Sequence, residues 1–262
     1  MISVFLLALV QSITEFLPVS SSGHLILMEK FGVSHQTLVM DVGLHLGTVV
    51  AVIIYFWKDI VSLTEALFKK NESRPLLFKL ILATVPIVIV GAVLKDSIET
   101  NFRSASLIAV TSILYGMLLW GVDARAPRQK TISKITMMDA LLIGVAQVLA
   151  LVPGTSRSGI TMTCARALGI ERADAARFSM LLSIPAILLS AVYVFFCAWR
   201  DGQLTGIVQT QLYAGIMLSA IFGFVAIWFL MKWVKKASFA VFGIYRVLLG
   251  IVLIVLTACG IL

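Results

Sequence analysis

The stretch QSITEFLPVSSSGH, residues 11–24, decides the fold because it breaks a helix inside the first apolar segment of the chain. A second stretch, QVLALVPGTSRSG at residues 147–159, repeats the pattern of apolar helix, proline, hydroxyl residues and glycine. Gln11 in the first and Gln147 in the second are 136 residues apart. Proline ends a helix because it lacks an amide donor and clashes with the preceding turn. Two such breaks in an apolar chain indicate a membrane binding site.

The composition indicates an integral membrane protein. Of the 262 residues 60% are hydrophobic and 13% are charged, and the mean hydropathy is +1.03, whereas a soluble domain has about 25% charged residues. The net charge of +8 comes from basic residues in short loops, which favours a membrane-topology signal over a nucleic-acid partner. Three scattered cysteines without a Cys-x-x-Cys pair favour neither a disulfide framework nor a zinc site. The N-terminus lacks a basic region and cleavage site, which predicts a retained segment.

The hydropathy pattern predicts two equivalent units, each a short broken helix followed by three membrane spans. The short helices are predicted at 2–17 and 137–151, their return segments at 24–32 and 159–169, and the spans near 38–57, 75–94, 105–121, 174–198, 210–231 and 239–260. The first short helix would reach roughly 24 Å, less than the ~30 Å hydrocarbon core. It is therefore predicted to form a re-entrant hairpin, which is tolerated only when packed inside protein or lining a cavity. An amphipathic interfacial helix is predicted within 58–74.

The predicted fold is one all-α integral membrane domain, residues 1–262, with six transmembrane helices and two re-entrant helical hairpins. The repeats 1–121 and 137–262, joined by loop 122–136, would have inverted topology because the first unit crosses the membrane an odd number of times. The basic-rich side, predicted to be cytoplasmic, holds 58–74, 122–136, Arg166, Arg172, Arg177, Lys232, Lys235 and Lys236. The opposite side, predicted to carry both termini, holds Lys30, Lys95, Arg103 and Arg200.

Polar residues at both breaks are the candidates for chemistry. The first break has Gln11 and Glu15 on one helix face, followed by Ser20, Ser21, Ser22 and His24. The second has Ser156, Arg157, Ser158 and Thr161. A charge at bilayer depth costs at least ~2.5–3.5 kcal/mol, so Glu15 and Arg157 are expected to share one cavity, paired directly or through a ligand.

These residues predict an anionic ligand and favour phosphate. Arginine offers a planar donor fork, hydroxyls add donors, and helices starting near His24 and Ile160 would point their positive ends at the same spot. Structural explanations stay open: a membrane serine often only bonds a carbonyl, His24 could be interfacial, and Glu15 with Arg157 could be a purely structural pair. Asp41 and His45, four residues apart, are interpreted as a pair at the start of a span or a cavity rim, with a catalytic role as the less favoured alternative.

The motifs TEFLPVSSSGH (14–24) and LVPGTSRSG (151–159) resemble the two signatures of the undecaprenyl pyrophosphate phosphatase family, first described through bacitracin resistance. The segment at 41–59 is also similar, and the resemblance covers essentially the whole chain. It implies a multi-pass enzyme of the bacterial inner membrane whose site opens to the periplasm. Such an enzyme removes the terminal phosphate of the C55 lipid pyrophosphate and thereby recycles the carrier for peptidoglycan and other envelope polymers.

The resemblance also implies roles for single residues. Ser21 corresponds to the proposed nucleophile, His24 to its proton-transfer partner and Glu15 to the second acidic residue of the family's Glu-x-x-x-Glu. The phosphate-contacting set corresponds to Ser22, Ser156, Arg157 and Thr161, with Ser158 beside them and Gln11 and Ser20 in support. Gln11 stands where the family usually has its first glutamate. Glu15 is thus the candidate ligand for a divalent cation, Mg or Ca, whose binding would be weakened because glutamine is a neutral ligand.

Two reaction schemes and two functions follow. Ser21 would attack and form a phosphoserine, or water activated by Glu15 would attack directly; charge stabilisation would be the main catalytic contribution in both.

The alternative function is a lipid-phosphate flippase or anion transporter using the same midplane site, since transporters also use broken helices in inverted repeats. The expected partners are a long-chain prenyl pyrophosphate and the membrane, with no nucleic acid. The oligomeric state, a homodimer included, is left open.

Overall fold

Long apolar helices dominate the fold. A computed structural model describes residues 2–30, 32, 37–101, 104–202 and 206–261, without the side chains of 22, 26, 95–101 and 207. Apart from one isolated β-bridge between Lys130 and Ile170, regular structure in these residues is helical. Arg103 and the side chain of Lys95, counted above for the membrane orientation, lie outside this description.

Eleven α-helices form within the described residues. They are α1 (Ile2–Phe16), α2 (Ser21–Lys30), α3 (Leu38–Tyr55), α4 (Trp57–Phe68), α5 (Arg74–Asn101), α6 (Ala105–Arg125), α7 (Met137–Val148), α8 (Arg157–Ala167), α9 (Arg172–Arg200), α10 (Gly206–Val234) and α11 (Ala240–Ala258). Short 3-10 turns cover Ile132–Lys134 and Leu149–Leu151.

Six of these helices, α3, α5, α6, α9, α10 and α11, are long and apolar enough to cross a membrane. They correspond to the six predicted spans, and the shorter apolar helices are α1 and the segment Met137–Leu151. Many of their large apolar side chains are exposed, for example Val93, Val192 and Phe196. Such a surface is stable only against lipid, so the chain is a multi-pass membrane protein.

The broken helices are packed among the long ones. Helix α1 contacts α2, α3 and α10, and α7 contacts α8 and α5. Helices α3 and α9 pack on each other, as do α6 and α11. Phe16, Val19, Met162 and Phe178 join one buried apolar cluster beside both breaks. Since aromatic and aliphatic packing holds both helix ends, the polar residues at the breaks have fixed positions.

The predicted basic-rich side is assembled by hydrogen bonds between its segments. Asp123 Oδ1, at the end of α6, accepts from Arg166 Nε and Arg172 Nε, each at 2.8 Å, and Asp123 Oδ2 accepts from the amide of Phe239 at 2.9 Å. Arg177 is paired with Asp59. These contacts bring the end of α6 and the starts of α4, α9 and α11 to one side, in agreement with the grouping of loops made from sequence.

The helices after the breaks begin earlier than predicted. Helix α2 starts at Ser21 and α8 at Arg157, whereas the pattern placed the starts near His24 and Ile160. Serines explain both differences, because Ser20 Oγ accepts from the amide of Gly23 at 3.3 Å and Ser156 Oγ from that of Gly159 at 3.1 Å. A hydroxyl oxygen that accepts a hydrogen bond from the third backbone amide of a helix fixes the N-terminus of that helix.

Candidate active site

Glu15 is the centre of the polar cluster between the breaks. Its side chain is 6% exposed, at the last turn of α1. Oε1 accepts from Arg157 Nη2 at 2.6 Å, and Oε2 accepts from Ser21 Oγ at 2.7 Å and Gln11 Nε2 at 3.2 Å. The expected pairing of Glu15 with Arg157 is therefore direct in this structure. Because the two charges lie on different broken helices, their ion pair holds the breaks together.

Ser21 is the first residue of α2, and its hydroxyl is half-buried. Its hydrogen bond goes to Glu15, a carboxylate that can receive the hydroxyl proton. A serine oxygen becomes a nucleophile when such a base is within hydrogen-bond reach. Ser21 and Glu15 thus have the geometry of a nucleophile and its base.

His24 lies one turn further along α2 and has different partners. Its Nδ1 is 2.6 Å from the carbonyl oxygen of Ser20, which can only accept, so Nδ1 carries a proton. In the neutral ring Nε2 then accepts from Tyr245 Oη at 2.7 Å. The two rings are stacked, with centroids 5.9 Å apart. Tyr245 was not among the residues singled out from sequence, and no local pattern connects it to His24, which is 221 residues away.

His45 is a further member of the cluster, and the sequence supplied only a faint signal for it. Its Nε2 lies 3.4 Å from Glu15 Oε2, while Nδ1 donates to the carbonyl oxygen of Asp41 at 2.7 Å. The four-residue spacing of Asp41 and His45 suggested a shared face, but the partner proved to be the backbone of Asp41. A doubly protonated ring would satisfy both acceptors, so His45 adds a second cation beside Glu15 when it is charged.

Thr161 and Ser179 are the residues that contact Arg157 from the side of the second break. Thr161 Oγ1 is 2.7 Å from Ser179 Oγ and donates to the carbonyl of Arg157 at 2.8 Å. Arg157 Nη1 donates to the carbonyl of Ser179 at 3.2 Å. Thr161 is 1% exposed, and its contact with a phosphate group, implied by the resemblance, stays a prediction.

Ser156 and Ser158 are the serines of the second break, at the start of α8. Their hydroxyl oxygens are 3.2 Å apart, and Ser158 Oγ donates to the carbonyl of Leu17 at 3.3 Å. Ser158 thus connects the second break to the first, as Arg157 does. The side chain of Ser22, another predicted phosphate contact, lies outside the described residues.

A cation site is poorly supported by the donor set around Glu15. Its neighbours are a guanidinium, an imidazole, a hydroxyl and an amide nitrogen, most of which donate to the carboxylate. Gln11 Oε1 is a buried oxygen with no hydrogen-bond partner in the described structure. Across the part of the chain that is described, no group of three or more His, Cys, Asp or Glu side chains could hold a metal. These residues do not fit a divalent cation held by protein ligands alone.

Comparison with known proteins agrees with the sequence resemblance. The family described as bacitracin resistance protein BacA matches residues 4–252. An undecaprenyl-diphosphatase of Saccharophagus degradans is 46% identical over 250 residues, 93% of each chain. One of Desulforudis audaxviator is 45% identical over 253 residues, 95% of each chain. Undecaprenyl-diphosphatase 1 of Pseudoalteromonas translucida is 43% identical over 97% of each chain. Since the match spans nearly all of the sequence, both breaks included, this chain belongs to the BacA family.

Proposed function

We propose that this protein hydrolyses undecaprenyl diphosphate to undecaprenyl phosphate and inorganic phosphate in a bacterial inner membrane. The observation that carries the proposal is the direct Arg157–Glu15–Ser21 connection between the two breaks, in a chain whose relatives carry the name of that enzyme. The Saccharophagus, Desulforudis and Pseudoalteromonas relatives bear no transporter name, so the flippase or anion transporter receives no support. Recycling of this lipid carrier would link the protein to cell-wall synthesis and to bacitracin resistance.

Binding of the pyrophosphate would begin with Arg157. Its guanidinium has a carboxylate on one side and the Ser179 carbonyl on the other, so an arriving phosphate would share or replace the contact with Glu15. Ser156, Ser158 and the first-turn amides of α2 and α8 would add donors. Helix N-termini favour negative charge, which makes the meeting point of α2 and α8 suited to a phosphate group.

The proposed reaction has two steps. Ser21 Oγ attacks the terminal phosphorus, the bond from that phosphorus to the bridging oxygen breaks, and the bridging oxygen leaves on undecaprenyl phosphate. The hydroxyl proton of Ser21 goes to Glu15, which accepts its hydrogen bond in the structure. Arg157 stabilises the charge that develops on the transferred group. When protonated, His45 would favour the ionised form of Glu15, which is the form that can accept the proton.

In the second step water attacks the phosphoserine and inorganic phosphate leaves. His24 is the proposed base, since Nε2 of its neutral ring is an acceptor, and Glu15 returns the proton to Ser21. Direct attack of water without phosphoserine is the alternative. Rapid quenching with substrate labelled in the terminal phosphate distinguishes them: label on wild-type protein but not on Ser21→Ala supports the two-step route, and its absence at all times supports direct attack.

The divalent cation, Mg or Ca, stays a prediction on which no step here depends. A cation bound mainly by the substrate phosphates would need Glu15 only as an additional ligand. Assays with EDTA and with added Mg²⁺ or Ca²⁺ test it. Full activity in EDTA would reject a required cation.

The finer topology is also a proposal: two re-entrant hairpins, α1–α2 and α7–α8, in inverted repeats that present the site to the periplasm. Support comes from equivalent contacts. Gln147 Nε2 donates to the carbonyl of Ala83 at 3.4 Å and Ser12 Oγ to that of Ser219 at 3.1 Å. The two acceptors are again 136 residues apart, whereas the two donors are 135 residues apart. Single cysteines at Ser133 and Asp201, labelled from the periplasm in a cysteine-free background, test the orientation. Labelling is expected only at Asp201; labelling only at Ser133 would reject it.

Phosphate release by the purified protein from a C55 pyrophosphate is the test of the proposed activity. Wild type should release phosphate, and Arg157→Ala should not. Movement of lipid phosphate across vesicles without phosphate release would overturn the proposal. Size measurement in detergent tests independently whether the protein is a monomer or a homodimer.

A further inference from the structure

Arg246, in helix α11, is a buried cation without a counterion. Its side chain is 0% exposed, and no carboxylate in the described structure contacts it. Its Nε has no hydrogen-bond partner among the described residues. Arg166 provides the contrast, because it is equally buried but bonded to Asp123 and to three carbonyls. An unneutralised guanidinium is costly inside a membrane protein and marks a functional position.

The partners of Arg246 are one carbonyl from each break. Nη2 donates to Gly154 at 2.8 Å and Nη1 reaches Pro18 at 3.5 Å. A planar fork can hold two acceptors at a fixed separation, which an ammonium on a flexible stem cannot do equally well. Pro18 precedes Ser21 by three residues, and Gly154 precedes Arg157 by three. Arg246 therefore contacts the same position in both breaks, three residues before the proposed nucleophile in one and three residues before the proposed phosphate-binding arginine in the other.

The surrounding residues leave room for this side chain. A Cβ on Gly159 would lie 2.8 Å from Arg246 Nη1 and 3.1 Å from Ser156 Cβ and Oγ, so an alanine there would displace the guanidinium. A Cβ on Gly116, in α6, would lie 2.8 Å from Arg246 Cβ. The close packing of α6 on α11 thus sets the depth of Arg246, and the same helix turn places Tyr245 on His24.

We infer that Arg246 is a positioning residue for phosphoryl transfer: it clamps the Pro18 and Gly154 carbonyls and so fixes the distance between Ser21 and Arg157. The inference rests on the proposed hydrolase activity. A misplacement of about 1 Å can cost roughly 10²-fold in rate. The unpaired charge also lies behind the phosphate site, where it favours binding of an anion.

Two substitutions separate the clamp from the charge. Arg246→Lys keeps the charge but not the fork, so kcat should fall about 10- to 100-fold with little change in KM. Arg246→Gln loses both, so KM and the inhibition constant of inorganic phosphate should rise as well. A folded Arg246→Lys protein with native kcat overturns the clamp, and unchanged phosphate inhibition in a folded Arg246→Gln protein overturns the role of the charge.

Gly159→Ala provides a test that keeps Arg246 itself. Its methyl group would lie 2.8 Å from Arg246 Nη1 and 3.1 Å from Ser156 Cβ and Oγ, so kcat should fall while the melting temperature changes little, since alanine favours a helix. Ser156→Ala, measured alone, separates the part of the loss that comes from Ser156. Gly91→Ala is the matched control, because its Cβ would meet only Leu151 Cδ2 at 3.8 Å, and it should keep native kcat. Native kcat in Gly159→Ala would overturn the inference even if the Arg246 variants do not fold. A wild type that releases no phosphate would instead reject the proposed function.

Discussion

The two breaks share a backbone but differ in chemistry. Ser20 and Ser156 are the described non-glycine residues with positive φ, at 77° and 71°, and each caps the helix that follows. The residue after the cap is Ser21 in the first break and Arg157 in the second. The first break thus presents Ser21, the proposed nucleophile, beside a carboxylate, and the second break presents a cation at the corresponding position. Neither break contains a complete phosphate-processing site, which is why the ion pair between them matters.

The largest expected effect concerns Ser21, because the corresponding residue of the second break, Arg157, has no hydroxyl group. Ser21→Ala should lower phosphate release by about 10⁴- to 10⁶-fold, because the proposed nucleophile is lost. Substrate binding should change much less. Initial rates across substrate concentrations measure both, with Ser133→Ala, an exposed serine in the 122–136 loop, as control. Activity within tenfold of wild type would show that the first break does not supply the nucleophile.

Arg157, the counterpart of Ser21, comes next. Arg157→Gln should lower kcat/KM about 10³-fold and destabilise the protein by about 3 kcal/mol, because Glu15 is left buried without its guanidinium. Arg157→Lys should recover part of both, since charge is kept but the fork is lost. Phosphate release and thermal unfolding in detergent measure these changes. Equal activity of the Lys variant and wild type would mean that charge alone is used.

Gln11 and Gln147 allow the breaks to be compared at equivalent, fully buried positions. Gln11→Leu should lower kcat about tenfold, because a hydrogen bond to a charged group contributes about 1.5–3 kcal/mol and Glu15 loses this donor. Gln147→Leu should change kcat less than twofold, since its bond goes to the Ala83 carbonyl. Steady-state rates decide the comparison. Equal losses would place both glutamines in a structural role.

The smallest effect is expected at the capping serines. Ser20→Gly and Ser156→Gly relieve a positive φ that costs about 1–3 kcal/mol in a non-glycine residue. They also remove the capping hydroxyl, and glycine at the cap position costs only about a few tenths of a kcal/mol. Stability should therefore rise by about 1 kcal/mol or stay level in both. Ser20→Ala and Ser156→Ala keep the strained backbone and should be less stable than the glycine variants. A clear loss of stability on Ser→Gly would show that the hydroxyl, not the backbone, dominates.

Much of the architecture could be predicted because it is local. Six apolar runs long enough to span a bilayer appear as six long helices, and each proline break separates two helices. The starts of α2 and α8 were each placed about three residues too late. Several neighbouring hydroxyl residues follow each proline, and only the backbone angles decide which of them is the cap.

The sequence by itself determined that this is a membrane protein with two proline-broken helices and with a glutamate and an arginine, Glu15 and Arg157, at the breaks. Hydropathy and helix breaking depend on neighbouring residues, so both can be read along the chain. Only the tertiary structure decided that Ser21 bonds Glu15, that Tyr245 covers His24, and that Arg246 clamps both breaks. The last two contacts join α11 to residues far away along the chain. They depend on how tightly helices pack and how each is rotated about its axis, which no periodicity within one segment specifies.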